Sequence, residues 1–206
     1  MYIKDMELKE LQEYLGKNRN GLNIEYIENP LYDKTNNIYS LGLAKDKMIE
    51  DDTILLESDL IFEDKILDLI INNPFPNLAL VARYEPWMDG TMVRIDNENN
   101  IINFVPKVAF RYADIGLYYK TLNIYKFSKQ FSSDSYIPFL EAYIKSVGKN
   151  EYYENVLRIL SFLNPHDLKA LPIHNEKWYE IDDKQDLDIA QALFSEPEEL
   201  LKKYYT

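Results

Sequence analysis

Two stretches of this chain end an apolar run on acids: Thr53-Ile54-Leu55-Leu56-Glu57-Ser58-Asp59 and, far downstream, Lys177-Trp178-Tyr179-Glu180-Ile181-Asp182-Asp183. A strand that delivers a carboxylate at its C-terminal end is what an α/β protein needs to hold a hard cation over the edge of its sheet. The acids at these two ends are therefore candidate metal ligands, and the pair of strand ends predicts a magnesium–nucleotide site. Taken singly, each acid has a simpler use as the cap of the helix that follows it. His166 and His174 lie in loops with no ligand spacing between them, and neither is assigned a role. Cysteine is absent, so neither a disulfide framework nor a thiolate metal site is available.

The 206 residues fit one domain of ordinary size, 1–206, with enough apolar sequence to bury a substantial core. A formal net charge of -12, from 23 basic and 35 acidic residues, argues against nucleic acid as a partner. Nucleic acids are gripped mainly by Lys and Arg on phosphates, and no general surplus of these exists. No apolar stretch approaches the roughly 20 residues of a membrane span, and Met1–Glu7 is too acidic for a signal peptide. No membrane insertion and a cytoplasmic location are expected.

The elements that must position the acids follow from periodicity. Leu8, Leu11 and Leu15 recur at helical spacing and stop at Gly16. Residues 22–27 read as a strand, 38–44 as a short helix begun by cap-type residues, and 53–57 as the first acid-bearing strand. A helix with Phe62, Ile66, Leu67, Ile70 and Ile71 on its apolar face follows, then Leu78–Ala82, apolar on both faces as a covered strand requires. This alternation predicts parallel strands joined by crossover helices. The second half reads as a hairpin of 91–95 with 101–105, a long aromatic strand over 116–127, helices over 137–147 and 151–162, strands over 168–173 and 178–181, and a final helix carrying Leu187, Ala190, Leu193 and Phe194. The fold class expected is α/β, a mixed and mostly parallel sheet flanked by helices.

Three segments together resemble the bacterial nucleotidyltransferases of GT-A-like fold, and among them the cytidylyltransferases acting on choline phosphate. They are Asn29-Pro30 with Thr35-Asn36-Asn37-Ile38-Tyr39-Ser40-Leu41, then Leu55-Leu56-Glu57-Ser58-Asp59, then Trp178-Tyr179-Glu180-Ile181-Asp182 with Gln185-Asp186-Leu187. The resemblance covers nearly the whole chain. It implies transfer of CMP from CTP to a small phosphorylated alcohol with release of pyrophosphate. Asp59 and Asp182 match the family's two Mg²⁺-binding carboxylates, Lys107 stands near a basic residue directed at the phosphates, and Asn36, Asn37 and Ser40 match the segment beside nucleobase and ribose. A fixed cation and Lys side chains would stabilise the charge that shifts onto pyrophosphate. An acceptor phosphate is already ionised, so no protein nucleophile is needed.

For the acceptor, Trp87, Tyr153, Trp178 and Glu151 are the candidates. Aromatic faces attract quaternary ammonium groups by roughly 0.5–2 kcal/mol per contact, which suits phosphocholine. The chain departs from the family in one respect: its 6 glycines are scattered, and the Gly-rich phosphate loop with its strand is missing. The expectation is a domain lacking the N-terminal βα unit, a truncated chain or one completed by another chain or by homo-oligomerisation, because a missing strand leaves unpaired backbone edges. A GT-A glycosyltransferase using a nucleotide sugar and a non-catalytic nucleotide-binding remnant are the alternatives.

Overall fold

In the computed structural model, which describes residues 5–195, the apolar run from Leu78 forms an inner strand of a six-stranded sheet. The first four residues of the segment weighed above as a leader lie outside the described residues. The elements in order are α1 (Asp5–Leu15), β1 (Asn18–Arg19), β2 (Leu22–Asn23), α2 (Asn37–Leu43), α3 (Lys45–Met48), β3 (Thr53–Leu56), β4 (Leu60–Phe62), α4 (Lys65–Asn72), β5 (Leu78–Arg83), β6 (Met92–Ile95), β7 (Ile101–Val105), β8 (Tyr119–Phe127), α5 (Lys129–Phe131), α6 (Ile137–Ser146), α7 (Glu154–Leu163), β9 (Lys169–Pro172), β10 (Trp178–Glu180) and α8 (Lys184–Phe194). The fold is α/β, with a mixed central sheet between helices.

Strand order is β7-β6-β8-β5-β9, with β3 also paired to β8. β3, β5 and β9 run the same way, yet among the described residues β5–β9 is the one directly bonded parallel pair in this sheet. The crossover reading fails at one point: β3 and β5 do not pair, because β8 inserts antiparallel between them. A second sheet joins β4 and β10, antiparallel, with Glu180 opposite Leu60.

Alternation along β5 shows why both sheet faces are covered. Ala79 and Val81 face a core built with Ile38 and Leu41 of α2, Ile137 and Leu140 of α6, and Val156, Leu157 and Leu160 of α7. Leu78, Leu80 and Ala82 face the opposite core, with Ile66 and Ile70 of α4. Period-2 alternation with every position apolar is the signature of a strand buried on both sides.

Local readings differ in four places. The strand expected over 22–27 is only the exposed two-residue β2, since its pairing partner β1 is equally short and no core face covers it. Phe62 belongs to β4, not to the helix, which begins at Lys65. The long strand starts at Tyr119, after a 3₁₀ turn over Tyr112–Leu117, and a π turn over Ser132–Tyr136 precedes α6. The helix expected from 151 starts at Glu154. Among the described residues, no helix is long and apolar enough to cross a membrane.

Candidate active site

The end of β3 with the two residues before β4, and Asp182 just after β10, meet at one cleft of about 690 Å³. Asp59 and Asp182 both line it, together with Asn36, Asn37, Ser40, Glu57 and Tyr153. The two halves are joined by backbone: the Ile181 N–H donates to the Asp59 carbonyl at 2.8 Å. The carboxylates that converge are nevertheless those of Glu57, Asp59 and Glu180, whose oxygens lie within 4.8 Å of one another. Asp182 is exposed at the cleft edge, and its backbone N–H donates to Asp186 at 3.1 Å. Each acid-bearing strand end carries Glu-x-Asp, and residues two apart share one side of an extended chain. That repeated spacing marks Glu57 and Glu180 as candidates beside the two aspartates, without saying which acid of each pair converges.

Three hard oxygen donors with no nitrogen or sulfur suit Mg²⁺, so this donor set fits that ion. Burial raises the Glu57 carboxyl above its usual range, opposed by the hydrogen bond from Tyr153, while Asp59 and Glu180 raise it further. The Tyr153 hydroxyl donates to Glu57 at 2.9 Å and the Asn37 amide at 3.3 Å. Burial also raises Glu180, and Lys120 opposes this through an ion pair at 3.0 Å. Lys120 is 1% exposed and donates to the Thr121 carbonyl at 2.8 Å, so its ammonium is a fixed internal counter-charge. No motif in the sequence marks a lysine inside a strand as anything but a surface residue.

The other expected site residues divide. Asn36 caps α2, accepting from the Asn37 N–H at 2.8 Å, and also lines the cleft. Asn37 is spent on the wall, accepting from the Tyr153 N–H at 3.0 Å as well as donating to Glu57. The Ser40 hydroxyl accepts from Asn29 at 3.0 Å. Lys107 is not among the cleft-lining residues; it stands on an exposed 3₁₀ turn, 3.4 Å from Asp89. Trp87 and Trp178 lie with ring centroids 6.4 Å apart, and Trp87 stacks on Tyr179 at 5.4 Å and 4°, but neither tryptophan is among the cleft-lining residues. Tyr153 is instead a buried ring, edge-on to Tyr125 at 6.0 Å. The Glu151 carboxylate accepts from Asn155 at 3.0 Å, and its carbonyl from Ile38.

Glu154, which the sequence offers as a negative charge near a cationic head group or as part of a solvated helix face, is instead buried, and among the described residues it is the carboxyl pushed furthest from its usual range. It is 7% exposed at the start of α7, accepts from the Thr91 hydroxyl at 3.3 Å, and is pushed by burial and by Glu57 up to about 7. The folded chain therefore keeps a proton that the unfolded chain releases near 4.5. Stability falls as pH rises from about 4.5 to about 7 and is level in this respect above that window. Glu154→Gln is expected to remove this slope and to raise stability at pH 8 by on the order of 3 kcal/mol, read by urea unfolding across pH 5–8. An unchanged slope would contradict it.

No family model matches this chain. It is 28% identical over 191 residues to the CMP-5'-(3-aminopropyl)phosphonate synthase of Streptomyces rubellomurinus, covering 92% of this chain and 30% of that protein. The chain thus spans about a third of the length of this curated relative. A Bacillus anthracis protein assigned as a glucose-1-phosphate thymidylyltransferase superposes with TM-score 0.67 at 19% identity, over 92% of this chain and 72% of that one. The CTP:phosphocholine cytidylyltransferase of Streptococcus pneumoniae gives TM-score 0.67 at 16% identity, over 91% and 75%. The fold is the one these nucleotidyltransferases adopt.

Proposed function

We propose that this chain is a cytidylyltransferase domain that moves CMP from CTP to a small phosphate or phosphonate carrying an amino or ammonium group. The observation that carries the reading is the convergence of Glu57, Asp59 and Glu180 within 4.8 Å beside a cleft lined by Asn36, Asn37 and Ser40. The likeness to nucleotidyltransferase folds and to a CMP-phosphonate synthase supports it. Choline phosphate is one acceptor of this class; a 3-aminopropylphosphonate-like acceptor is favoured by the curated relative.

Glu57, Asp59 and Glu180 would hold Mg²⁺, with Asp182 at the cleft edge beside them. When bound, the ion offsets phosphate charge and polarises a phosphoryl oxygen. Tyr153 and Asn37 hold the Glu57 carboxylate, and Lys120 holds that of Glu180, so the acids are oriented before any ligand arrives. Asn36 and Ser40 face the cleft with the polar groups a base and ribose need. The acceptor oxygen, already ionised, attacks the α-phosphorus; one P–O bond forms, the bond to pyrophosphate breaks, and no residue need act as nucleophile.

The test is pyrophosphate release with each of the four NTPs and Mg²⁺ against 3-aminopropylphosphonate, 2-aminoethylphosphonate, choline phosphate and inositol phosphate. CTP with an amino-bearing acceptor is expected to give the largest rate. Release of UDP or GDP from a nucleotide sugar, with no pyrophosphate from any NTP, would replace this reading by glycosyl transfer.

A further inference from the structure

Asn123 lies inside β8 with φ of +56°, the left-handed region, and is 4% exposed. A non-glycine residue in that conformation within a strand is held there by its surroundings. Its side-chain amide nitrogen and its backbone carbonyl are bonded to residues of the candidate site. The side-chain amide donates to Glu180 at 2.9 Å, its amide oxygen accepts from the Thr121 hydroxyl at 2.9 Å, and its backbone carbonyl accepts from the Glu57 N–H at 3.3 Å. One residue is thereby bonded to both acid-bearing strand ends.

Three residues earlier on the same strand, Lys120 reaches the same Glu180 carboxylate. Residues three apart in an unbroken strand face opposite sides. The left-handed residue, with the β5–β8 register shifting opposite it between Ala79 and Val81, interrupts that alternation. A strained conformation kept where an asparagine spans two acids is the arrangement expected if the spacing of the acids is what the strain maintains.

We propose, on the metal-dependent reading above, that Asn123 is a positioning residue that fixes Glu57 and Glu180 at the spacing needed by one divalent cation, with Thr121 orienting its amide. The competing account is that asparagine is there only because it tolerates positive φ; glycine tolerates it better, and the two accounts diverge on Asn123→Gly. Mn²⁺ titration by electron paramagnetic resonance, paired with thermal melts, separates them. Asn123→Gly is expected to weaken Mn²⁺ binding at least tenfold, the scale on which outer-shell partners act, while the melt stays a single cooperative transition. Unchanged Mn²⁺ affinity in Asn123→Gly overturns the proposal. Should that variant not fold, Thr121→Val decides, with a weakening of about threefold or more expected and an unchanged affinity overturning the proposal. A wild-type chain that binds no Mn²⁺ sinks the metal reading itself, a result distinct from wild type and variant binding alike.

Discussion

Asp59→Asn is expected to lower CTP-dependent pyrophosphate release by about three orders of magnitude while leaving the fold intact. Asp59 is the member of the acid trio that sits where the two strand ends are stitched together, its carbonyl accepting from Ile181 and its carboxylate converging with Glu57 and Glu180. The amide keeps the size and the backbone bond but removes the charge that would share the ion. Loss of several kcal/mol of charge stabilisation, about 4, corresponds to about a thousandfold in rate. Steady-state kinetics with saturating Mg²⁺ read it, and a rate within tenfold of wild type would contradict the assignment.

Lys120→Met is expected to cost about 3 kcal/mol of stability, because removing one partner of a buried ion pair strands the other charge. The lysine side chain is 1% exposed and that of Glu180 is 21% exposed, so water reaches the carboxylate only in part. For a chain of 206 residues, that loss corresponds to a Tm lower by roughly 6–12 °C. Methionine keeps the apolar length of the stem, so cavity formation contributes little. Mg²⁺ should restore part of the difference, since a bound cation replaces the lost counter-charge. Differential scanning calorimetry with and without Mg²⁺ checks both statements, and an unchanged Tm would show that Lys120 is not the counter-ion of Glu180.

Elements with strong periodicity were legible: the Leu8/Leu11/Leu15 helix, the doubly buried Leu78–Ala82 strand and the hairpin of 91–95 with 101–105 all form. What escaped depends on tertiary pairing. Nothing local says that β8 inserts between β3 and β5, since that order is set by which strands share apolar faces after the chain has turned back. Leu60-Ile61-Phe62 is too short to separate from the helix behind it, and becomes a strand only because Trp178-Tyr179-Glu180 lies alongside.

The site divides the same way. Asp59, Asp182, Asn36, Asn37 and Ser40 were reachable because each lies in a segment with a resemblance, and all line one cleft. Glu57 and Glu180 stood in the same segments, but choosing between the two acids of each Glu-x-Asp needs the direction of each strand end. Lys120 and Asn123 were invisible, because their roles arise from ion pairing inside the fold and a left-handed backbone that no spacing encodes, and Glu154 was legible as a helix acid but not as a buried one. Of the acceptor candidates, Tyr153 alone lines the cleft. Trp87 and Trp178 meet, whereas Tyr153 supports Glu57 through its hydroxyl.

Anomalous scattering from crystals soaked in Mn²⁺ with CTP tests the central claim most directly. A single peak about 2.2 Å from carboxylate oxygens of Glu57, Asp59 and Glu180, as a small octahedral cation requires, is the expected result. A peak elsewhere, or none at these three residues, would contradict it.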